Sequence, residues 1–131
     1  MATARITDYT DLDLSFARHP VTGDVAKLVG PAAVGRSIKN LVMTNFYERP
    51  FRPSVGSGAT RLLFENVTPM TASLLEQMIG QVIDNFEPRA SVIAIQALAS
   101  PDLNGYTVKL VFSIVNRPDP FAVTLFLQRV R

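Results

Sequence analysis

The sequence predicts an α+β domain with an N-terminal hairpin, two main helices and a C-terminal three-stranded antiparallel sheet. Three observations carry this reading. Apolar residues recur at helical spacing around 34–46 and 74–86, they alternate with polar residues in three later stretches, and short turns rich in Pro, Gly, Asn and Asp separate the C-terminal strands. Helices followed by a run of antiparallel strands place the helices against one sheet face. A chain of 131 residues and 14.4 kDa buries about two thirds of its unfolded surface, enough for one hydrophobic core and too little for two.

Residues 1–10 carry no period and read as an arm, leaving 11–131 as a single domain. Leu12, Leu14 and Phe16 alternate with Asp11, Asp13 and Ser15, the period of a half-buried strand. After turn chemistry from His19 to Asp24, Val25, Lys27 and Val29 continue in extended form, so the segment predicts a hairpin. Gly30-Pro31 opens a helix, with Pro at the first position where its missing N–H costs nothing. Val34, Ile38, Leu41, Val42 and Phe46 share one face of it, and it should end near Asn45, before Pro50. Two Pro and two Gly between Tyr47 and Ala59 exclude a regular element there. Leu62-Leu63-Phe64 predicts one helical turn. Thr68-Pro69 supplies a hydroxyl cap and a first-turn Pro. Leu74, Leu75, Met78, Ile79, Val82, Ile83 and Phe86 then mark a long helix that Pro88 stops. Strands are predicted at Val92 to Leu98, Tyr106 to Val115 and Phe121 to Val130, with turns at 101–105 and 116–120.

Composition excludes several chemistries. With no Cys and a single His, the chain has no disulfide framework, no thiolate nucleophile and no sulfur-built metal site, so neither metal nor cofactor is expected. Charged residues are 18%, below the roughly 25% of an average soluble domain. Ten of the thirteen cations are Arg, scattered singly and not in the clusters that displace counterions from nucleic acid. No apolar run approaches the about 18 residues of a membrane span, and the first residues lack a signal-peptide hydrophobic region. Neither nucleic acid nor membrane is therefore expected as a partner. Arg is favoured at protein interfaces, which suggests that the sparse charge reflects surface used for contacts.

Catalytic residues are not expected. His19 sits in a turn beside Pro20 with no nucleophile elbow elsewhere, and Gly56-Ser57-Gly58 lacks the Lys-Ser/Thr ending of a phosphate loop. Glu48, Glu65, Glu76 and Glu87 could by residue type supply the acid pair of a glycosidase. Glu48 and Glu87 each lie within one Pro of an Arg, however, and a neighbouring guanidinium lowers a carboxyl pKa when a general acid needs it raised.

A set of motifs in a fixed order is more specific: Asp13-Leu14-Ser15-Phe16, Pro20-x-Thr22-Gly23-Asp24, Ser37-Ile38-Lys39-Asn40-Leu41, Thr44-Asn45, Glu48-Arg49-Pro50-Phe51-x-Pro53, Gly56-Ser57, Leu62-Leu63-Phe64-Glu65 and Phe86-Glu87-Pro88-Arg89. From about residue 11 to the C-terminus it resembles the baseplate wedge family of contractile-tailed bacteriophages, which includes the sheath-initiating baseplate component of type VI secretion systems. The family also carries a lysozyme-like label. Tyr47 departs from the pattern, standing where many members have Gly before Glu-Arg-Pro. A backbone angle reserved for Gly would then be closed to it.

The resemblance implies a structural, non-enzymatic role in a virion tail baseplate assembled in the host cytoplasm. Implied partners are the other wedge proteins, through their helical core bundle, and the tail sheath protein. Glu87, Pro88 and Arg89 map onto the motif that engages the wedge core. The residues alone also allow Glu87 and Arg89 to pair internally and lock the corner; the resemblance favours partner contact. For the Glu48, Arg49 and Pro50 motif an internal role is expected, with Phe51 packing under the loop. The last strand, with Phe121, Val123, Leu125 and Leu127 alternating, would offer an edge to a sheath strand. Alternatively that edge is covered, with Arg129 and Arg131 as guards against aggregation. Two other functions fit the residues less fully, a peptidoglycan hydrolase built on the free carboxylates and a small regulatory binding module.

Overall fold

The computed structural model describes residues 9–115 and 117–129. In chain order the elements are β1 (Thr10–Leu12), β2 (Lys27–Val29), α1 (Pro31–Met43), α2 (Ala59–Leu62), α3 (Pro69–Phe86), β3 (Ala90–Ser100), β4 (Gly105–Ile114) and β5 (Arg117–Gln128). β3, β4 and β5 form an antiparallel sheet with β4 in the middle, while β1 and β2 pair antiparallel as a separate hairpin. Alternation along β4 turns Tyr106, Val108, Leu110, Phe112 and Ile114 to one face, where none is more than 4% exposed. The helices cover that face. α3 lies along β3 and buries Leu75, Ile79, Val82 and Ile83. α1 buries Val34, Ile38, Leu41 and Val42 and approaches β5 so closely at Gly35 that an added Cβ would meet Val123 at 3.0 Å.

Sequence and structure agree on both long helices and on the three-stranded sheet, except that α1 ends at Met43, so Phe46, expected on its inner face, lies beyond the helix and is exposed. The Thr68 hydroxyl accepts from the Thr71 N–H at 3.2 Å, capping α3 as its sequence implied. Leu74, on the flank of the apolar stripe, faces solvent.

Four local expectations are corrected. The first strand does not run from 11 to 16: it pairs only over Thr10–Leu12, because the Asp13 carboxylate takes the Ser15 N–H at 3.0 Å and turns the chain, leaving Phe16 at φ 53°. The short helix begins at Ala59, ahead of Leu62-Leu63-Phe64. The 116–120 turn is instead strand from Arg117 onward, and Pro118 and Pro120 are tolerated because β5 is a sheet edge. Phe51 does not pack under its loop but stands fully in solvent. Residues 1–8 of the expected arm, Asn116, Val130 and Arg131 lie outside the described residues. Thr10, placed in the arm by its lack of period, is the first residue of β1.

Candidate assembly surfaces

The corner between α3 and β3 is an ion-pair network. Glu87 is 3% exposed. Its Oε1 accepts from Arg89 Nε at 2.6 Å and its Oε2 from Arg89 Nη2 at 3.0 Å, a bidentate pair, and the Ser37 hydroxyl on α1 also donates to Oε2. Arg89 reaches on to Asp11 of β1, with Nη2 3.2 Å from Oδ2, and its guanidinium lies 5.4 Å from the centre of the Tyr9 ring. The Arg89 carbonyl accepts from the Val115 N–H at 3.0 Å, tying the corner to the end of β4. Burial pushes the Glu87 carboxyl up, but the hydrogen bonds from Arg89 and Ser37 and the Arg89 charge outweigh it and hold the group below its ordinary range. The same bonds to Glu87 and Asp11, against the opposing effect of burial, raise Arg89 further above its usual value. Glu87 and Arg89 thus pair internally and pin α1, α3, β1 and β3 together. Pro88 is the exposed residue of the three.

The loop after α1 is irregular but firmly held. Glu48 accepts the Asn45 N–H at 2.7 Å, the Tyr47 N–H donates to the Pro53 carbonyl at 2.9 Å, and the Ser57 N–H donates to the Thr44 carbonyl at 2.8 Å. Gly56, at φ 147°, crosses so near the Asn45 backbone that a Cβ there would lie 2.7 Å from it. Tyr47 does adopt a left-handed angle, φ 67°, with its side chain in solvent, and Phe51 does the same at φ 65°. Arg49, Pro50 and Arg52 are exposed on this loop. A cleft of about 460 Å³ lies between the loop, α1 and the β1 end, reaching Asp11 and Ser37 of the corner network.

β5 is the other feature of note. Leu125 and Leu127 are buried, and Phe121 and Val123 pack partly buried against the same core, so all four side chains face inward. What β5 presents outward is backbone: among the described residues no strand pairs with its outer side. A groove of about 460 Å³ borders it, with Ala32 and Gly35 of α1 on one wall and Ala122 to Leu125 on the other. The opposite edge, β3, is treated differently. There the Glu76 carboxylate on α3 accepts the Ala97 N–H at 2.7 Å and occupies an outward backbone donor. Arg129 follows β5 with its N–H on the Asn104 carbonyl at 2.8 Å and its guanidinium 3.5 Å from the Phe64 carbonyl.

The profile of the family described as baseplate wedge protein gp25 matches residues 29–117, from the end of β2 to the first residue of β5. Baseplate wedge protein gp25 of Enterobacteria phage T4 is 31% identical over 111 residues, which cover 85% of this chain and 83% of that protein. The chain belongs to the gp25 baseplate wedge family. Solved structures with the family fold include a putative tail lysozyme from Geobacter sulfurreducens (18% identity, TM-score 0.69, covering 75% of this chain and 89% of that one). The baseplate of the anti-feeding prophage contains another (22% identity, TM-score 0.64, 95% and 88% covered), and the postcontracted baseplate of pyocin R2 a third (19% identity, TM-score 0.54, 90% and 98% covered).

In this gp25-family chain three of the four candidate glutamates, all but Glu65, serve structural bonds. Glu87 is ion-paired, Glu48 closes the loop and Glu76 guards β3. His19 uses its Nδ1 to receive the Val21 and Thr22 N–H groups at 3.2 Å within its turn. Among the described residues no cluster of three His, Cys, Asp or Glu could hold a metal ion, and no helix is long and apolar enough to cross a membrane. Sequence reasoning missed Asp11 and Ser37 as partners of the corner and Glu76 as an edge guard. Glu76 had a signal in its position beside Leu75 on the apolar flank of α3, whereas Asp11 lies 78 positions from Arg89 and had none.

Proposed function

We propose that this chain is a wedge component that binds the helical core of the baseplate at the Glu87–Pro88–Arg89 corner and starts the tail sheath by offering the outer edge of β5. As a member of the baseplate wedge family it is a structural part of a tail baseplate. The sheath role rests on one observation: among the described residues no strand pairs with the outer side of β5, which borders a groove lined on α1 by Ala32, Gly35, Arg36 and Lys39. An added strand could bond to that backbone while Phe121, Val123, Leu125 and Leu127 remain in the core, so recognition would come through main-chain hydrogen bonds. Single prolines introduced along β5 test it. Those whose N–H faces β4 should unfold the protein, and those facing outward should keep the melting temperature but abolish sheath polymerisation on assembled baseplates. Folded outward variants that still seed sheath would overturn the strand-addition reading.

For the core-binding corner, charge reversal at Arg89 is a poor probe, because it would set a third carboxylate beside Glu87 and Asp11. Pro88→Trp leaves the ion pair in place. It should block co-purification with the other wedge proteins while the isolated chain melts as before; unchanged co-purification counts against the corner as a contact.

The lysozyme reading draws on the description of the Geobacter protein as a putative tail lysozyme. The ion pair that keeps Glu87 ionised works against it, since a glycosidase acid must hold its proton near neutral pH. Purified cell walls incubated with the chain should keep their turbidity; clearing that vanished in Glu48→Gln or Glu87→Gln would restore an enzymatic role.

A further inference from the structure

The cleft beside the 45–57 loop carries more positive charge than the described residues pair. Arg36, Arg49 and Arg52 stand on its rim. Arg36 has a long contact with Asp13 at 3.6 Å, and among the described residues neither Arg49 nor Arg52 has an acidic partner. The floor is apolar, built from Leu41, Val55 and Phe86. The loop that presents Arg49 and Arg52 is fixed by backbone bonds at both ends and keeps Tyr47 and Phe51 at left-handed angles, conformations retained only where the surroundings over-determine them. Such a loop loses little freedom on binding.

From this arrangement we infer that the cleft is a second docking site, distinct from Pro88 and the β5 edge, for a segment of another protein of the same baseplate that sets an apolar side chain between carboxylates. Charge complementarity selects the occupant. Guanidinium forks pair bidentately with carboxylates, and the apolar floor gives an anchoring side chain a place that a hydrated phosphate backbone could not use. The inference rests on the family's place in a baseplate, which supplies the class of partner, but not on the corner or the β5 edge acting as proposed.

The full chain, labelled with a fluorophore, is applied to overlapping peptides tiled across the other proteins of its baseplate. Retained peptides should be acidic with an apolar residue between the acids, and retention should weaken as salt rises. Arg49→Glu with Arg52→Glu should reduce affinity by at least about tenfold per arginine, while Arg49→Lys with Arg52→Lys, which keeps charge but loses the fork, should fall between. Both doubles alter exposed side chains, so their melting temperatures should match that of the parent. Retention unrelated to peptide acidity, or unchanged in the Glu double, would overturn the site, as would no retention at all. Preferential capture of a DNA oligonucleotide by the same arginines would replace it with a phosphate site. The Pro88→Trp chain separates this inference from the corner: it should bind the same peptides even where wedge co-purification is lost.

Discussion

Glu87 shows how much one residue depends on partners the sequence keeps far apart. Its neighbours Pro88 and Arg89 were visible as a motif, and internal pairing was one of the two readings their spacing allowed. Ser37 and Asp11, which complete the network, come from α1 and β1 and meet the corner only in the folded chain. Because the folded carboxyl lies below its unfolded value, its contribution to stability is complete above the ordinary glutamate range near pH 4.3 and is lost as pH falls through the folded value. Urea unfolding across this range should therefore show an acid-dependent loss in the parent that is smaller in Glu87→Gln, where the Asp13 carboxyl, lowered by its bonds from Ser15, still titrates. At neutral pH the variant should be less stable by about 2 kcal/mol, short of the full cost of splitting a buried pair because Arg89 keeps some contact with water. Tyr47 gives the opposite case. The motif pattern located the departure from Gly, but only the backbone revealed that Tyr accepts the left-handed angle. Tyr47→Gly should relieve that strain and raise stability by about 0.5 to 1 kcal/mol in the same assay.

Among the elements, α1, α3 and β4 were the most legible because each carries a periodic apolar face long enough to outweigh local exceptions. β1 was misjudged, since three apolar residues in alternation cannot report that Asp13 will take the Ser15 N–H and end the strand. The start of β5 was misjudged for another reason. Asn-Arg-Pro-Asp-Pro is turn chemistry by composition, and proline becomes acceptable only where a strand has no outer neighbour, a fact of topology. The two sheet edges also differ in a way visible only after folding: Glu76 blocks β3, whereas no described strand covers β5. Glu76→Ala should cost about 1 kcal/mol by leaving the Ala97 N–H without its partner, and should increase self-association at high concentration as measured by light scattering. Glu76→Gln, which retains an acceptor, should largely prevent both effects.

Among the described residues, one face of the sheet is covered and the other is bare. Leu127 points into the core at 2% exposure, while the adjacent Phe126 stands at 47% on the bare face beside Thr107, with Leu98 beyond. Leu127→Ala should cost about 3 kcal/mol in thermal or urea unfolding. Phe126→Ala should cost under about 1 kcal/mol and weaken retention on a hydrophobic column, so equal losses would contradict the assigned faces. The sparse charge and the scattered arginines were apparent from composition, and in the folded chain three of those arginines gather around one cleft. By itself the sequence determined the fold class, the long helices, the central strand and the family, because these follow from periodicity, capping residues and ordered motifs that act over neighbouring positions. Tertiary structure alone decided, among the described residues, which strand edge is open, which carboxylates are occupied and that Arg49 and Arg52 have no acidic partner. Those properties depend on contacts between segments tens of residues apart, whose pairing no local pattern encodes.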